Sequence, residues 1–170
     1  MNFLRFCLKI IGVLLVVFLA TGLFIKETSY EVDVKIRKKV PEIFGIFSDQ
    51  SDLMKWNPEI VSVKGKVEKK RVVGSEYEML VVNNKDTLEI HEKVIAYVPN
   101  KKTTLLLTIN ELLKTDDYTF RYIGGLTIIT KNVSCESESY LMMCLLPYIK
   151  YYLKEIDQKQ LDRFKNFIES

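Results

Sequence analysis

Hydrophobic and polar positions fall into three successive patterns along this chain. The first regime is residues 10–25, IIGVLLVVFLATGLFI, which carry no charge and sit behind Arg5 and Lys9 and ahead of Lys26 and Glu27. Charged side chains are costly in hydrocarbon, and a helix satisfies its own backbone hydrogen bonds there. The run therefore predicts one spanning helix or an export signal. Its sixteen residues reach about 24 Å, short of a hydrocarbon core of about 30 Å. Phe3, Leu4, Phe6 and Leu8 lengthen it if Arg5 and Lys9 snorkel to the interface. Ala20 and Gly22 make an imperfect cleavage site, so a retained anchor over residues 1–28 is preferred to a cleaved signal. The basic residues on the short leading tail favour a body outside the cytoplasm, although Lys35, Arg37, Lys38 and Lys39 compete from the other end.

The second regime has period two. Val32, Val34 and Ile36 alternate with Glu31, Asp33, Lys35 and Arg37, which predicts a half-buried strand over residues 30–38. Pro41 suits a first helical position, and Ile43, Phe44, Ile46 and Phe47 supply its apolar face. Ser51 is placed to cap a second short helix that Pro58 stops by restricting Asn57. Six further strands are predicted over residues 61–69, 75–82, 87–97, 103–110, 118–123 and 126–135. Turn signals lie at Gly74, residues 83–86, Pro99-Asn100, Thr115-Asp116-Asp117 and Gly124-Gly125. Connections this short demand antiparallel neighbours.

The third regime has period three to four. From Pro147 onward Ile149, Leu153, Ile156, Gln160, Phe164 and Phe167 recur at helical spacing, with Tyr152, Leu161 and Ile168 widening the face. A long amphipathic helix is predicted to close the chain. A curved sheet with one apolar concave face needs a single long element to cover it, so this helix is expected to lie across the strands.

Composition narrows the function classes. The chain has 170 residues and a net charge of +3. Without Arg5, Lys9, Lys26 and Glu27, the body from residue 29 to 170 keeps 22 basic and 21 acidic residues. It is the length of one domain and shows no electrostatic footprint for nucleic acid. Cys7, Cys135 and Cys144 form no CxxC pair, and the one histidine, His91, is remote from them, so no metal site and no cofactor are expected. Cys135 and Cys144 read as ordinary buried thiols, with pairing the alternative in an exported body. Lys101-Lys102 and Lys69-Lys70-Arg71 read as solvated turn charges.

The segment Val40-Pro41-Glu42-Ile43-Phe44-Gly45-Ile46-Phe47-Ser48-Asp49, followed by Leu53-Met54-Lys55-Trp56-Asn57-Pro58-Glu59-Ile60, resembles the start of the START-like helix-grip superfamily (SRPBCC). That superfamily includes polyketide cyclase/dehydrase-like and lipid-transport proteins. Residues 160–169 look like its final helix, and the resemblance spans about residues 30 to 170. It implies an α+β helix-grip fold: a curved seven-stranded antiparallel sheet wrapped around a long C-terminal helix, two short helices after the first strand, and here an added N-terminal transmembrane helix. It also implies a cavity between sheet and helix that takes an apolar guest.

By that similarity Phe44, Phe47, Leu53, Met54 and Trp56 stand at the cavity mouth, and Tyr77, Met79, Leu105, Leu107, Phe120 and Tyr122 share the apolar parity of their strands. Met142, Met143, Tyr148 and Tyr152 cluster where the last strand meets the helix, where flexible methionines and amphipathic tyrosines suit an adaptable pocket. All of these also suit an ordinary core. No catalytic residue is assigned. His91 shares the outward parity of Glu89 and Lys93, Arg121 also points outward, and Glu92 alone falls on an inward parity, unless a bulge explains it. The leading reading is a single-pass, membrane-anchored binding protein for a hydrophobic small molecule or lipid. The alternatives are a cyclase/dehydrase-like enzyme using the same cavity, and a protein-interaction module with a filled core and an unidentified protein partner.

Overall fold

The computed structural model describes residues 2–65, 72–83 and 86–170. The predicted Lys69-Lys70-Arg71 cluster lies outside them, as does the side chain of Ser51. In chain order the elements are α1 (Asn2–Phe24), β1 (Glu27–Ile36), α2 (Val40–Ser48), α3 (Gln50–Trp56), β2 (Ile60–Gly65), β3 (Glu76–Asn83), β4 (Asp86–Val98), β5 (Lys102–Ile109), β6 (Leu112–Ile123), β7 (Leu126–Ser137) and α4 (Tyr140–Glu169). Every strand pairing is antiparallel, and the sheet order is β1-β7-β6-β5-β4-β3-β2. Only one connection leaves the meander: β1 pairs with the last strand, and α2 and α3 carry the chain across to the far edge.

Local chemistry accounts for most of these boundaries. β1 buries every second residue, Thr28, Tyr30, Val32, Val34 and Ile36. Pro41 stands at the start of α2, where its missing N–H costs nothing. Gly124 and Gly125, both at positive φ, close the two-residue hairpin between β6 and β7, a geometry that glycine adopts without a Cβ penalty.

Two expectations are corrected. Thr115-Asp116-Asp117 is not a turn: it lies inside β6, and the β5–β6 hairpin turns earlier at Asn110, whose φ is +51°. The polar triplet imitates a loop because Asp116 serves a buried ion network. The closing helix also begins at Tyr140, so Pro147 lies inside it rather than at its start. Its buried face runs through Leu146, Asp157, Leu161, Phe164 and Ile168, whereas Tyr152 points to solvent at 60 % exposure.

α4 crosses the concave face, packed against β1 and less closely β7, with its last third meeting α3 through Phe164 and Trp56. Three polar clips fix it, two at the β1 side and one to the α3–β2 connection. Gln158 Nε2 donates to the Asp33 carbonyl at 3.0 Å, the Arg37 backbone N–H donates to Glu169 Oε1 at 2.9 Å, and Arg163 pairs with Glu59 at 2.8 Å. Under the helix the rings interlock edge to face. Phe164 lies 5.6 Å from Phe47 and 5.0 Å from Trp56, and Phe120 lies 5.0 Å from Phe44 and 5.3 Å from Phe47. Such pairs add to the stabilisation from area burial alone. Because Phe164 is fully buried at this junction, Phe164→Ala is expected to lower unfolding free energy by about 3–5 kcal/mol, measured by urea unfolding of the full chain in detergent.

Candidate functional site

The interior between the sheet and α4 has an apolar wall and a charged floor. The wall holds nine of the residues predicted to line a cavity: Phe44, Phe47, Leu53, Tyr77, Met79, Leu105, Leu107 and Phe120 are buried, and Trp56 is half-buried. Met142 and Met143 are half-buried at the entry to α4, Met142 against the main core. Tyr122, Tyr148 and Tyr152 are instead 52, 55 and 60 % exposed. Tyr122 lies near the end of β6, beside the exposed hairpin tip, and the two α4 tyrosines are on the outer side of the helix, so strand parity and helical spacing alone misplaced them. Met54 also faces out, at 44 %.

The wall falls into two apolar clusters. The larger joins β1, α2, β6, β7 and α4 with Tyr77 of β3, Val94 of β4 and Leu105 of β5; the smaller comprises Leu53, Ile60, Met79 and Leu107, with Val63, Val81, Ile90 and Ile109 packed on it but only partly buried. Trp56 touches both. Its Nε1–H is buried and has no acceptor among the described residues, an unusual state for an indole in an interior.

The charged floor was not foreseen. Asp157 of α4 accepts hydrogen bonds from Lys114 Nζ and Lys131 Nζ on Oδ1, both at 2.8 Å, and from the Tyr30 hydroxyl on Oδ2 at 2.6 Å. Lys131 also pairs with Asp116 Oδ2 at 2.8 Å. Asp116 Oδ1 makes no aligned hydrogen bond, although Lys114 Nζ lies 3.4 Å away. Lys131 Nζ stands 5.2 Å from the centroid of the Tyr118 ring. Asp116, Lys131 and Asp157 are at most 2 % exposed. The signal in sequence was parity. Lys114 and Asp116 alternate in step with Tyr118 and Phe120, Lys131 with Ile129 and Val133, and Asp157 sits four residues before Leu161 on the apolar stripe.

Burial by itself would discharge Lys131, but the carboxylates of Asp116 and Asp157 more than offset that and hold its ammonium above the ordinary range. Burial likewise works against the charge of Asp157, and Lys131 and Lys114 override it, keeping the carboxyl well below the usual carboxylate range. The Tyr30 hydroxyl is pushed far up by burial and by Asp157. Burial also lifts the Cys135 thiol to about 11, so it stays protonated at neutral pH. Cys135 and Cys144 are both free: Cys135 belongs to the main core, and Cys144 lies against α1, its Sγ 3.6 Å from the Leu19 carbonyl oxygen.

Glu92 is buried and inward, as its parity implied; the irregularity of β4 lies further on, between Val94 and Ala96. His91 faces out, with Nδ1 and Nε2 each 3.7 Å from a carboxylate, of Glu78 and Glu89 respectively. This trio is open to solvent and nothing beside it points to a bound ion. Two open clefts are present. One, of about 670 Å³, is at the β5–β6 hairpin and the β7–α4 junction; the other, of about 260 Å³, is lined in part by the outward side chains of β3, β4 and β5.

No protein-family profile matches the chain, and no curated protein matches it in sequence. Solved structures do match in shape. Ara h 8.0201 superposes with a TM-score of 0.71 at 13% identity, covering 84% of this chain and 97% of that one. A START superfamily protein from Mycobacterium smegmatis gives 0.68 at 15% identity, over 83% and 97%. DynU16, a protein of the dynemicin biosynthetic locus, gives 0.63 at 14% identity over 84% of this chain and 47% of its own. The chain therefore has the helix-grip fold of START-like and Bet v 1-like proteins. At these identities the likeness is one of fold.

The ion network makes two predictions. Asp157→Asn leaves two buried lysines with one carboxylate and is expected to cost about 3–5 kcal/mol, whereas replacing Lys131 and Asp157 together by Met and Leu costs less; chemical unfolding of the three chains measures this. The contribution of Asp157 is present above the unfolded carboxylate value of about 3.9 and is lost as pH falls from there toward its depressed folded value. That of Lys131 is present below about 10.4 and is lost as pH rises from there toward its raised folded value. Stability measured from neutral pH downward is expected to drop on the acid side in the parent, and less steeply in Asp157→Asn.

Proposed function

We propose that this chain is a membrane-tethered binding protein for a small hydrophobic molecule or lipid, held between the β2–β5 half of the sheet and α4. One observation carries the reading. α4 closes the β1–β7 half of the concave face, while over β2–β5 the inner side chains Val63, Val81, Ile90 and Ile109 stay only half-buried, beside the buried Tyr77, Met79, Leu105 and Leu107. An apolar surface left open beneath an otherwise closed grip is a ready site for an apolar guest. Trp56 stands at the seam with an indole N–H that has no acceptor among the described residues, so the guest that fits carries an oxygen acceptor on an apolar body.

The fold neighbours support a cavity-based role by analogy of fold alone. The tether is residues 1–28, with the binding body over residues 29–170 on the extracytoplasmic side. α1 supports the tether because Phe3–Phe24 is long and apolar enough to cross a membrane and almost none of it is buried.

The buried lysines, carboxylates and tyrosines give the enzyme reading a specific footing, since titratable groups converge inside the fold. Their states weigh against it. Lys131 is held as an ammonium and Asp157 as a carboxylate, each by the other. A lysine nucleophile must be neutral and a general acid must carry a proton. The network acts as a clamp.

Gentle purification followed by solvent extraction and mass spectrometry is expected to yield a stoichiometric apolar molecule. Adding it back to stripped protein should shift the emission of Trp56, the one tryptophan. Trp56→Phe removes the donor and is expected to weaken binding about ten-fold. A chain that copurifies with nothing apolar and whose Trp56 emission ignores every lipid class tested does not have this function.

A further inference from the structure

α4 carries an apolar stripe that its own fold does not cover. Leu141, Leu145, Tyr148 and Tyr152 recur at spacings of four, three and four, which puts them on one helical face. They are 64, 39, 55 and 60 % exposed, and the neighbouring Tyr151 is 79 % exposed. The stripe ends abruptly at the solvent-facing ion pair Glu155–Lys159. It thus occupies only the first half of the helix, about 17 Å long.

This stripe is continuous with α1. Thr21 Oγ1 donates to the Phe18 carbonyl at 2.6 Å and lies 3.2 Å from the Cys144 carbonyl oxygen. The Tyr140 hydroxyl donates to the Leu19 carbonyl. The Phe18 and Tyr148 ring centroids are 5.9 Å apart. Gly22 makes the close approach possible, since a Cβ there would lie 2.5 Å from Cys144 Sγ. Residue 22 meets residues 140 and 144, and residue 18 meets 148, so the two helices run in opposite directions at their contact. Following α4 past Tyr148 therefore leads in the same sense as following α1 back into its apolar run. Only Ile25 and Lys26 separate α1 from β1, which leaves little slack for the body to swing away.

We infer that the outer face of the first half of α4 meets the bilayer surface with Tyr148, Tyr151 and Tyr152 foremost, at the boundary between headgroups and acyl chains, and Leu141 and Leu145 behind them. Tyrosine suits that depth because its ring is apolar and its hydroxyl stays hydrated. Lys154, exposed just beyond the tyrosines, meets anionic headgroups. The inference rests on the anchor reading of α1. The helix that closes the grip is then itself a membrane-contacting element, and the interior lies one helix thickness from lipid.

The test uses the full chain in phosphatidylcholine vesicles containing a minority of phosphatidylglycerol, with and without brominated acyl chains. Three single tryptophans are added separately to the parent, whose own Trp56 supplies the baseline: Val16→Trp in α1, Tyr152→Trp on the stripe, and Val98→Trp at the exposed end of β4. Bromine is expected to reduce the added emission of Val16→Trp and Tyr152→Trp about two-fold or more, as for side chains seated some 5–10 Å into the boundary or deeper, and to leave Val98→Trp unchanged. Quenching at position 16 with position 152 as insensitive as position 98 overturns the docked face and leaves the anchor standing. No quenching at position 16 overturns the anchor and the docked face together. A position 152 that is shielded only as protein density rises, with cross-linked dimers, assigns the stripe to a second copy and also overturns the inference.

Discussion

A carboxylate at the middle of α4 must find three strands at once. Asp157 receives Tyr30 from β1, Lys114 from β6 and Lys131 from β7, and Asp116 balances the second lysine. Apolar packing tolerates a sliding helix, because one apolar contact replaces another at little cost. A buried ion network does not, since a displacement of one helical turn, about 5.4 Å, would strand charges in a dry interior. The net contribution of such a network to stability is small against apolar replacements, but the cost of breaking it is large. That asymmetry gives the helix one seat, and the aromatic contacts of Phe164 with Phe47 and Trp56 depend on that seat.

Fixing α4 over β1 and β7 has a consequence on the other side of the sheet. The helix does not cover all of β2 to β5, so Val63, Val81, Ile90 and Ile109 there stay half-buried and Trp56 is left at the seam between two apolar clusters. The same placement brings the first turns of α4 against Gly22 and Thr21 of α1. One constraint thus sets the open half of the grip and the docking of the apolar helix onto the body. The body is consequently less separate from α1 than the charge boundary at Lys26 and Glu27 suggests.

Legibility in the sequence followed how far each element obeys a local rule. β1, with its strict alternation, and α2, with Pro41 at its start, were readable because period and capping are local properties. Tyr77, Met79, Leu105, Leu107 and Phe120 are buried on the wall of the grip for the same reason: inward parity persists along a regular strand. Tyr122, Tyr148 and Tyr152 failed because parity and helical spacing do not say where an element outruns the body or which side of a helix the sheet occupies. Thr115-Asp116-Asp117 failed because polar residues usually mark turns, and only knowledge of Lys131 on the adjacent strand shows why Asp116 belongs inside one.

By itself the sequence determined the apolar leading helix, the count and antiparallel sense of the strands, the two short helices and the long closing helix, since each rests on contacts within a few residues. Their arrangement as a helix-grip fold was legible as well, because a one-face apolar sheet and a single long helix have few ways to cover each other. Tertiary structure alone decided the pairing of Asp157 with strands 43 and 26 residues away, the choice of which half of the sheet α4 closes, and the side of α4 left for α1. These depend on distances between residues remote in the chain, and hydrophobic period carries no record of them.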